Sequence, residues 1–318
     1  MAHINRCAFV AGAAAVTASL FTQASALAQA APVTIRAASS AVDDVAPVLW
    51  GIHTGGFAKA GLYVSLTRMD SGSAVTAGVI SGALEVGKSS MLPLIAAHSH
   101  NLPISIVAPG SMWDTETPVT ALIALKTSPF ATAADLNGKT VATAALKDLS
   151  WTATHAWLDQ HGGDPKTVKF IEIPQTALLD ALVQGRIDAA TLTTPSLTAA
   201  LASGKVKILG ATDDAIAKHF MLTAWFSSND FIAKNPAAIA RFAQLVEQNA
   251  VYTNTHAADE IPLVADFSKI DPAVLAHGPR GRCGTRLDAA SIQPVIDTAY
   301  KYQVVEQPFD AHELLMKV

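Results

Sequence analysis

Cysteine is nearly absent from this chain of 318 residues, which holds only Cys7 and Cys283. Two cysteines cannot supply a disulfide framework or a Cys-rich metal or redox motif. Charge is thin as well: Asp, Glu, Lys and Arg make up 15% of the residues, with a net charge of −4. So mildly acidic a chain lacks the basic surface that nucleic acid or an anionic membrane would require. Long apolar runs are missing too. The clearest, Ala8 to Phe21, carries no charge but is shorter than the ~20 residues that span a bilayer. No G-x-S-x-G elbow is present, so the nucleophilic serine of an α/β-hydrolase is not expected. The histidines are scattered, and His98 and His100 stand without a further nearby ligand, so no metal site is expected.

What the amino terminus does have is the pattern of a cleavable secretory signal peptide over residues 1–30. His3 and Arg6 precede the apolar run, and a small-residue stretch, TQASALAQAAP, follows it. Ala28 and Ala30 fit an A-x-A cut at Ala30/Ala31, and Ala26 with Ala28 fit one before Gln29. Cleavage removes Arg6 and no acidic residue, so the net charge moves from −4 to −5. It also leaves Cys283 without a partner. The mature chain must therefore be held by a hydrophobic core, and its length suits two lobes.

From Val33 onward short β-rich runs alternate with helical stretches, which predicts an α/β fold with mainly parallel strands. Strands are expected at 33–38, 63–69, 84–87 and 104–108, then at 119–126, 140–144, 168–173, 187–192, 206–209 and 221–227. Helices are expected at 43–60, from 70 to 80, from 89 to 98, at 150–161, 176–184 and 197–202, and over most of the last third. Gly61 and Gly82 close helices, as glycine commonly does. The chain changes register at Pro109-Gly110 and the rhythm restarts after the 119–126 strand, so the plan is repeated without a visible sequence repeat.

Five stretches then carry a resemblance. The segment Gly56-Phe57-Ala58-Lys59-Ala60-Gly61-Leu62-Tyr63-Val64 is similar to the "G-[YF]-x-K-x-G-L-x-V" pattern of nitrate/sulfonate/taurine solute-binding proteins of ABC importers, the SsuA/THI5-like or NMT1-like class. Ser81 to Gly87 resembles its "S-G-x-x-D-I-G", with Glu85 in place of the acid. Ala134 to Ala142 resembles "x-D-L-K-G-K-x-V-A", Leu182 to Ala190 resembles "L-x-x-G-x-I-D-A-A", and Phe231 to Pro236 resembles "F-x-x-x-N-P". The family's common "E-P" after "D-A" is replaced by Thr193-Thr194-Pro195.

The resemblance implies a two-lobed periplasmic binding protein fold of type 2, each lobe a mainly parallel sheet flanked by helices. Lobe 1 would comprise residues 33–115 and 221–318, and lobe 2 residues 116–220. Hinge crossings would lie near Trp113–Val119 and Ala211–Leu222. It implies a periplasmic, monomeric receptor that passes a small-molecule solute (a sulfonate, a carboxylate or a pyrimidine-type precursor) to a membrane permease. No catalytic residue, cofactor or nucleic-acid partner is expected. A thiamin-pyrimidine-synthesis enzyme of the same fold and a ligand sensor remain the alternatives.

In open parallel sheets ligands bind beyond the carboxyl ends of the strands, where helix starts offer free N–H groups. The expected ligand-binding residues are therefore Ser39, Ser40, Ser71, Gly72, Ser73, Ser89, Ser90, Ser150, Thr193 and Thr194. Helix capping alone also accounts for such hydroxyls. Asp70 and Asp148 share these turns and would repel an anion. Of the tryptophans, Trp113 and Trp151 are the expected stacking surfaces, against the alternative of core packing. Gly82 to Ser89 matches the P-loop pattern G-x4-G-K-S, but the expected strand falls inside the motif, so nucleotide binding is not expected. Arg280, Arg282 and Arg286 form a basic loop that is either solvated or reaches the cleft mouth.

Overall fold

The computed structural model describes Met1 and residues 32–317. The expected signal peptide, with its cut near Ala30, thus lies outside the described residues apart from Met1. No helix among the described residues is long and apolar enough to cross a membrane.

Thirteen strands among these residues form three sheets. They are β1 (Val33–Ser39), β2 (Leu62–Arg68), β3 (Val86–Ser90), β4 (Ile104–Pro109), β5 (Ser111–Asp114), β6 (Thr120–Leu125), β7 (Thr140–Thr143), β8 (Lys169–Glu172), β9 (Ala189–Thr193), β10 (Val206–Gly210), β11 (His219–Met221), β12 (Thr223–Ser228) and β13 (Arg282–Cys283). The first large sheet has the order β2-β1-β3-β12-β4, and the second runs β8-β7-β9-β6-β10. In the first, only β12 runs against its neighbours; in the second, only β6 does. The two sheets therefore share one topology, with the reversed strand in the same place. Each reversed strand is the one reached when the chain crosses from the other sheet.

Matching carboxylates brace matching points of the two sheets. Glu85, just before β3, accepts a hydrogen bond from the backbone N–H of Arg36 in β1 at 2.7 Å. Asp188, just before β9, accepts one from the N–H of Thr140 in β7 at 2.8 Å. The acid of the two D-I-G-like and I-D-A-like motifs is thus a sheet brace. Asn235-Pro236 starts the helix Pro236–Thr253, with proline where its missing N–H costs nothing.

Both faces of each sheet are covered, which is why the strands read as near-continuous apolar runs. On the first sheet, Ile106, Ala224 and Phe226 pack against Leu92, Ile95 and Ile296. Its other face sets Ile35, Val107 and Trp225 against Ile239, Phe242 and Val246. In β6, Ala121 and Ile123 join one cluster and Leu122 and Ala124 the opposite one, the period of two expected of a strand.

The expected elements differ from the observed ones in four places, the first being β3, which runs over Val86–Ser90 and not 84–87, so that Ser89 and Ser90 end the strand and the next helix starts at Met91. The helix expected over 43–60 is broken: a short turn at Asp43–Val45 leads into helices Ala46–His53 and Gly56–Lys59. Gly55 sits at φ +69° between them, a conformation that interrupts an α-helix. The strand expected at 221–227 splits at Leu222, whose N–H turns to the Ser111 carbonyl and whose carbonyl accepts from Met91 N–H. The third sheet, β11-β5-β13, was not expected as a sheet; only Met221 of it falls within an expected strand. β5 and β11 lie in the two stretches where the chain passes between the large sheets, and they pair antiparallel.

Candidate functional site

A cavity of about 850 Å³, counting its open mouth, lies where strand ends of the two large sheets meet. From the first sheet come Ser40 after β1, the Asp70–Ser73 turn after β2, and Ser89 and Ser90 at the end of β3. From the second come Ala144 and Ala145 after β7, Gln175 after β8, Thr193 at the end of β9 with Thr194 after it, and Asp213 after β10. The reversed strands enter from the same edge, so Thr120 and Thr223, at their starts, line it too.

Ser40, Ser71, Gly72, Ser73, Ser89, Ser90, Ser150, Thr193 and Thr194 all face this cavity. Ser71 caps the helix Gly72–Ile80, its hydroxyl accepting from Ala74 N–H at 3.2 Å. Ser150 is not a cap: the helix Leu149–Gln160 is capped by Asp148, which accepts from Trp151 N–H at 2.8 Å. The hydroxyls of Thr120 and Thr193 lie 3.2 Å apart across β6 and β9. The Ser89 hydroxyl is buried and has no hydrogen-bond partner among protein groups.

Gly72 is required here by close approach. A methyl group on it would collide with the Ser89 hydroxyl and lie 3.3 Å from the Ser89 Cα. Gly72→Ala is expected to cost about 1–3 kcal/mol, as overpacking does, read as a lower urea midpoint.

Three expected residues stand off the cavity wall. Ser39 is fully buried in β1 and donates to the Ser40 carbonyl at 3.1 Å. Trp113 is fully buried in the core, and its indole N–H donates to Asp214 at 3.1 Å. Trp151 packs on His155, with ring centres 3.8 Å apart, and edge-on to Phe170. Neither tryptophan is among the residues that line the cavity.

Of the charged wall, Asp70 and Asp148 were expected from the sequence, whereas Asp43, Asp213 and the buried Lys88–Asp44 pair were not. Lys88, 1% exposed on β3, donates to Asp44 at 2.5 Å. Asp44 also accepts from the Thr223 hydroxyl at 2.5 Å. Burial alone would raise the Asp44 carboxyl, but Lys88 and these hydrogen bonds outweigh it and hold the group below its ordinary value. Beside it, Asp43 accepts from the Thr194 hydroxyl at 3.1 Å and from Gly281 N–H at 3.2 Å. Burial, and then the charge of Asp44, push Asp43 upward against the pull of Arg280. Arg280 is mostly buried and pairs with Glu260, whereas Arg286 is largely exposed. Burial pushes both Asp148 and Asp213 up to about 7. One signal for the Asp43–Asp44 pair was present: two acids in the first turn after β1, a position equivalent to the serine turns.

The P-loop pattern has no P-loop geometry. The helix Gly72–Ile80 precedes Gly82, and Lys88 lies within β3, paired to Asp44. The free thiol of Cys283 is buried, and burial first, then the nearby aspartates, push it well up.

Known proteins share this fold. The taurine-binding periplasmic protein of Escherichia coli (strain K12) is 28% identical over 221 residues, 68% of this chain and 65% of its own length. The aliphatic sulphonate binding protein SsuA from Escherichia coli superposes with a TM-score of 0.72 at 20% identity, over 90% of this chain and 93% of its own. The alkanesulfonate-binding SsuA from Xanthomonas axonopodis pv. citri, bound to MOPS, gives 0.76 at 17% identity, over 91% and 100%. The nitrate-binding protein NrtA from Synechocystis PCC 6803 gives 0.67 at 15% identity, over 76% and 68%. These likenesses agree on a periplasmic binding protein fold. The family model described as NMT1/THI5 like matches residues 43–259, from the buried acid pair to beyond the helix Pro236–Thr253, and the chain belongs to that family.

Proposed function

We propose that the chain is the extracytoplasmic receptor of an ABC importer, exported with cleavage near Ala30, which captures a small organic solute and delivers it to a membrane permease. The observation that carries this reading is the cavity itself, lined by strand-end residues of two sheets of matching topology. Residues 33–115 with 221–318 form one lobe and residues 116–220 the other. The two passages through β5 and β11 act as the hinge, a known route to enclosing a ligand. The Thr194 to Asp43 hydrogen bond, which joins residues from the two sides, is a contact that closure would make. The receptor performs no chemistry and uses no cofactor or metal.

A thermal-shift screen of the mature protein against sulfonates, nitrate, carboxylates and pyrimidines should show a raised melting temperature with one class. No shift with any class, together with turnover of one, overturns the reading. Replacing both Ser71 and Ser150 by alanine should weaken the bound solute about tenfold, the loss of two modest hydrogen bonds. Unchanged affinity in that variant, by calorimetry, would place the solute elsewhere.

A further inference from the structure

We infer that Asp213, with Asp148 beside it, forms a subsite for a cationic nitrogen, so that the solute carries an ammonium or amidinium group. This deepens the receptor reading and rests on it. Asp213 follows β10, is 1% exposed and lines the cavity. The Thr120 hydroxyl is a polar neighbour, yet neither carboxylate oxygen of Asp213 completes a hydrogen bond with a protein group. A buried carboxylate in that condition is costly, and a cation is the partner that relieves it.

The rest of the lining points the same way. Five carboxylates line the cavity, those of Asp43, Asp44, Asp70, Asp148 and Asp213, against one cation, Lys88. Lys88 is already bonded to Asp44, and Arg280 behind the wall is bonded to Glu260. A simple anion entering this cavity meets net negative charge with no cation left free to receive it. The hydroxyls of Ser71, Ser73, Ser89 and Ser90 can serve any polar group at the solute's other end.

The groups that could compete for the cation are on known elements. Glu172 and Lys147 lie near Asp148, and Asp214, paired with Lys218, adjoins Asp213. The helix Leu149–Gln160, which packs against the Asp213 turn, carries His155 and Asp159. Burial lowers the His155 imidazole, whose ring nitrogen faces the Trp151 carbonyl, and Asp159 accepts from the Tyr302 hydroxyl. None of these offers Asp213 a positive partner.

The test compares matched pairs that differ by an amino group: taurine with ethanesulfonate, 4-aminobutanoate with butanoate, and benzylamine with benzyl alcohol. Calorimetry on the mature protein should give binding to an amine-bearing member at least tenfold tighter than to its amine-free partner. That affinity should rise about tenfold from pH 6 to pH 8 if one carboxyl ionises on binding. Asp213→Asn should lose at least tenfold for the amine, and Asp148→Asn, which keeps the helix cap, should also weaken it. Equal binding within a pair, affinity that falls as pH rises, or unchanged affinity in both variants overturns the subsite while leaving the receptor reading standing. Mg²⁺ or Zn²⁺ binding tighter than every amine assigns the carboxylates to a metal and overturns it too. No binding by any of these probes overturns the inference, while the receptor reading falls only if the wider screen above also gives no shift and one of its classes is turned over.

Discussion

Replacing Lys88 by methionine is expected to lower stability by about 3–5 kcal/mol at pH 8, the cost of stranding one member of a buried ion pair. Lys88 and Asp44 are 1% and 3% exposed and 2.5 Å apart, so water cannot screen the loss. The expected pH dependence follows from Asp44. In the intact pair its carboxyl is held below its ordinary value, because Lys88 and hydrogen bonds outweigh the rise that burial would cause. That stability is present above the ordinary carboxylate value and is lost as pH falls through the lowered one. Without Lys88 the carboxyl resists ionisation, so the deficit of the variant should grow from pH 4 to pH 8. Urea midpoints at both pH values check this. The double variant Lys88→Met with Asp44→Asn should recover most of the loss, since a neutral pair of similar volume needs no counter-charge. A double variant as unstable as the single one would mean that Lys88 acts through packing and not through charge.

The same residue shows what sequence does and does not carry. The strand–helix rhythm is legible because each element announces itself locally: apolar runs, a closing Gly61 or Gly82, and a hydroxyl at the next helix start. The rule that ligands gather at strand ends then brings Ser71, Ser89 and Thr193 to one place without any tertiary information. Lys88 is different. Its meaning depends on Asp44, 44 positions away, and on Thr223, far down the chain, and no local pattern reports either contact. Trp113 and Trp151 were expected as stacking surfaces from their place in the chain, but what a ring packs against is decided by residues far away, here Phe220 and Asp214 for Trp113 and Phe170 for Trp151. Strands β5, β11 and β13 are two to four residues long and pair only with one another, so each lacks a periodic signal of its own. The reversal of β6 and β12 is invisible for a related reason: alternation reports a strand, not its direction.

Asp213→Asn should make the ligand-free protein more stable, by up to roughly 4 kcal/mol at pH 8, and leave it nearly unchanged at pH 4. Burial, reinforced by Asp148 and Asp214, pushes this carboxyl up to about 7, well above its value in an unfolded chain. Between those two values the folded protein keeps the proton and the unfolded chain does not. Stability therefore falls as pH rises from about 4 to about 7 and levels off above that. An asparagine has no proton to lose, so the variant should lack this portion of the slope. Urea midpoints at pH 4 and pH 8 measure it, and an equal difference at both would mean that Asp213 does not titrate as its surroundings dictate. The comparison with binding gives the prediction its weight. A substitution that stabilises the free protein while weakening an amine-bearing solute separates a group kept for recognition from one kept for folding. Lys88 and Asp44 satisfy one another and are expected to hold the wall in place. Asp213, lacking such a partner, should lower stability in the free protein and gain its counter-charge only when the solute arrives.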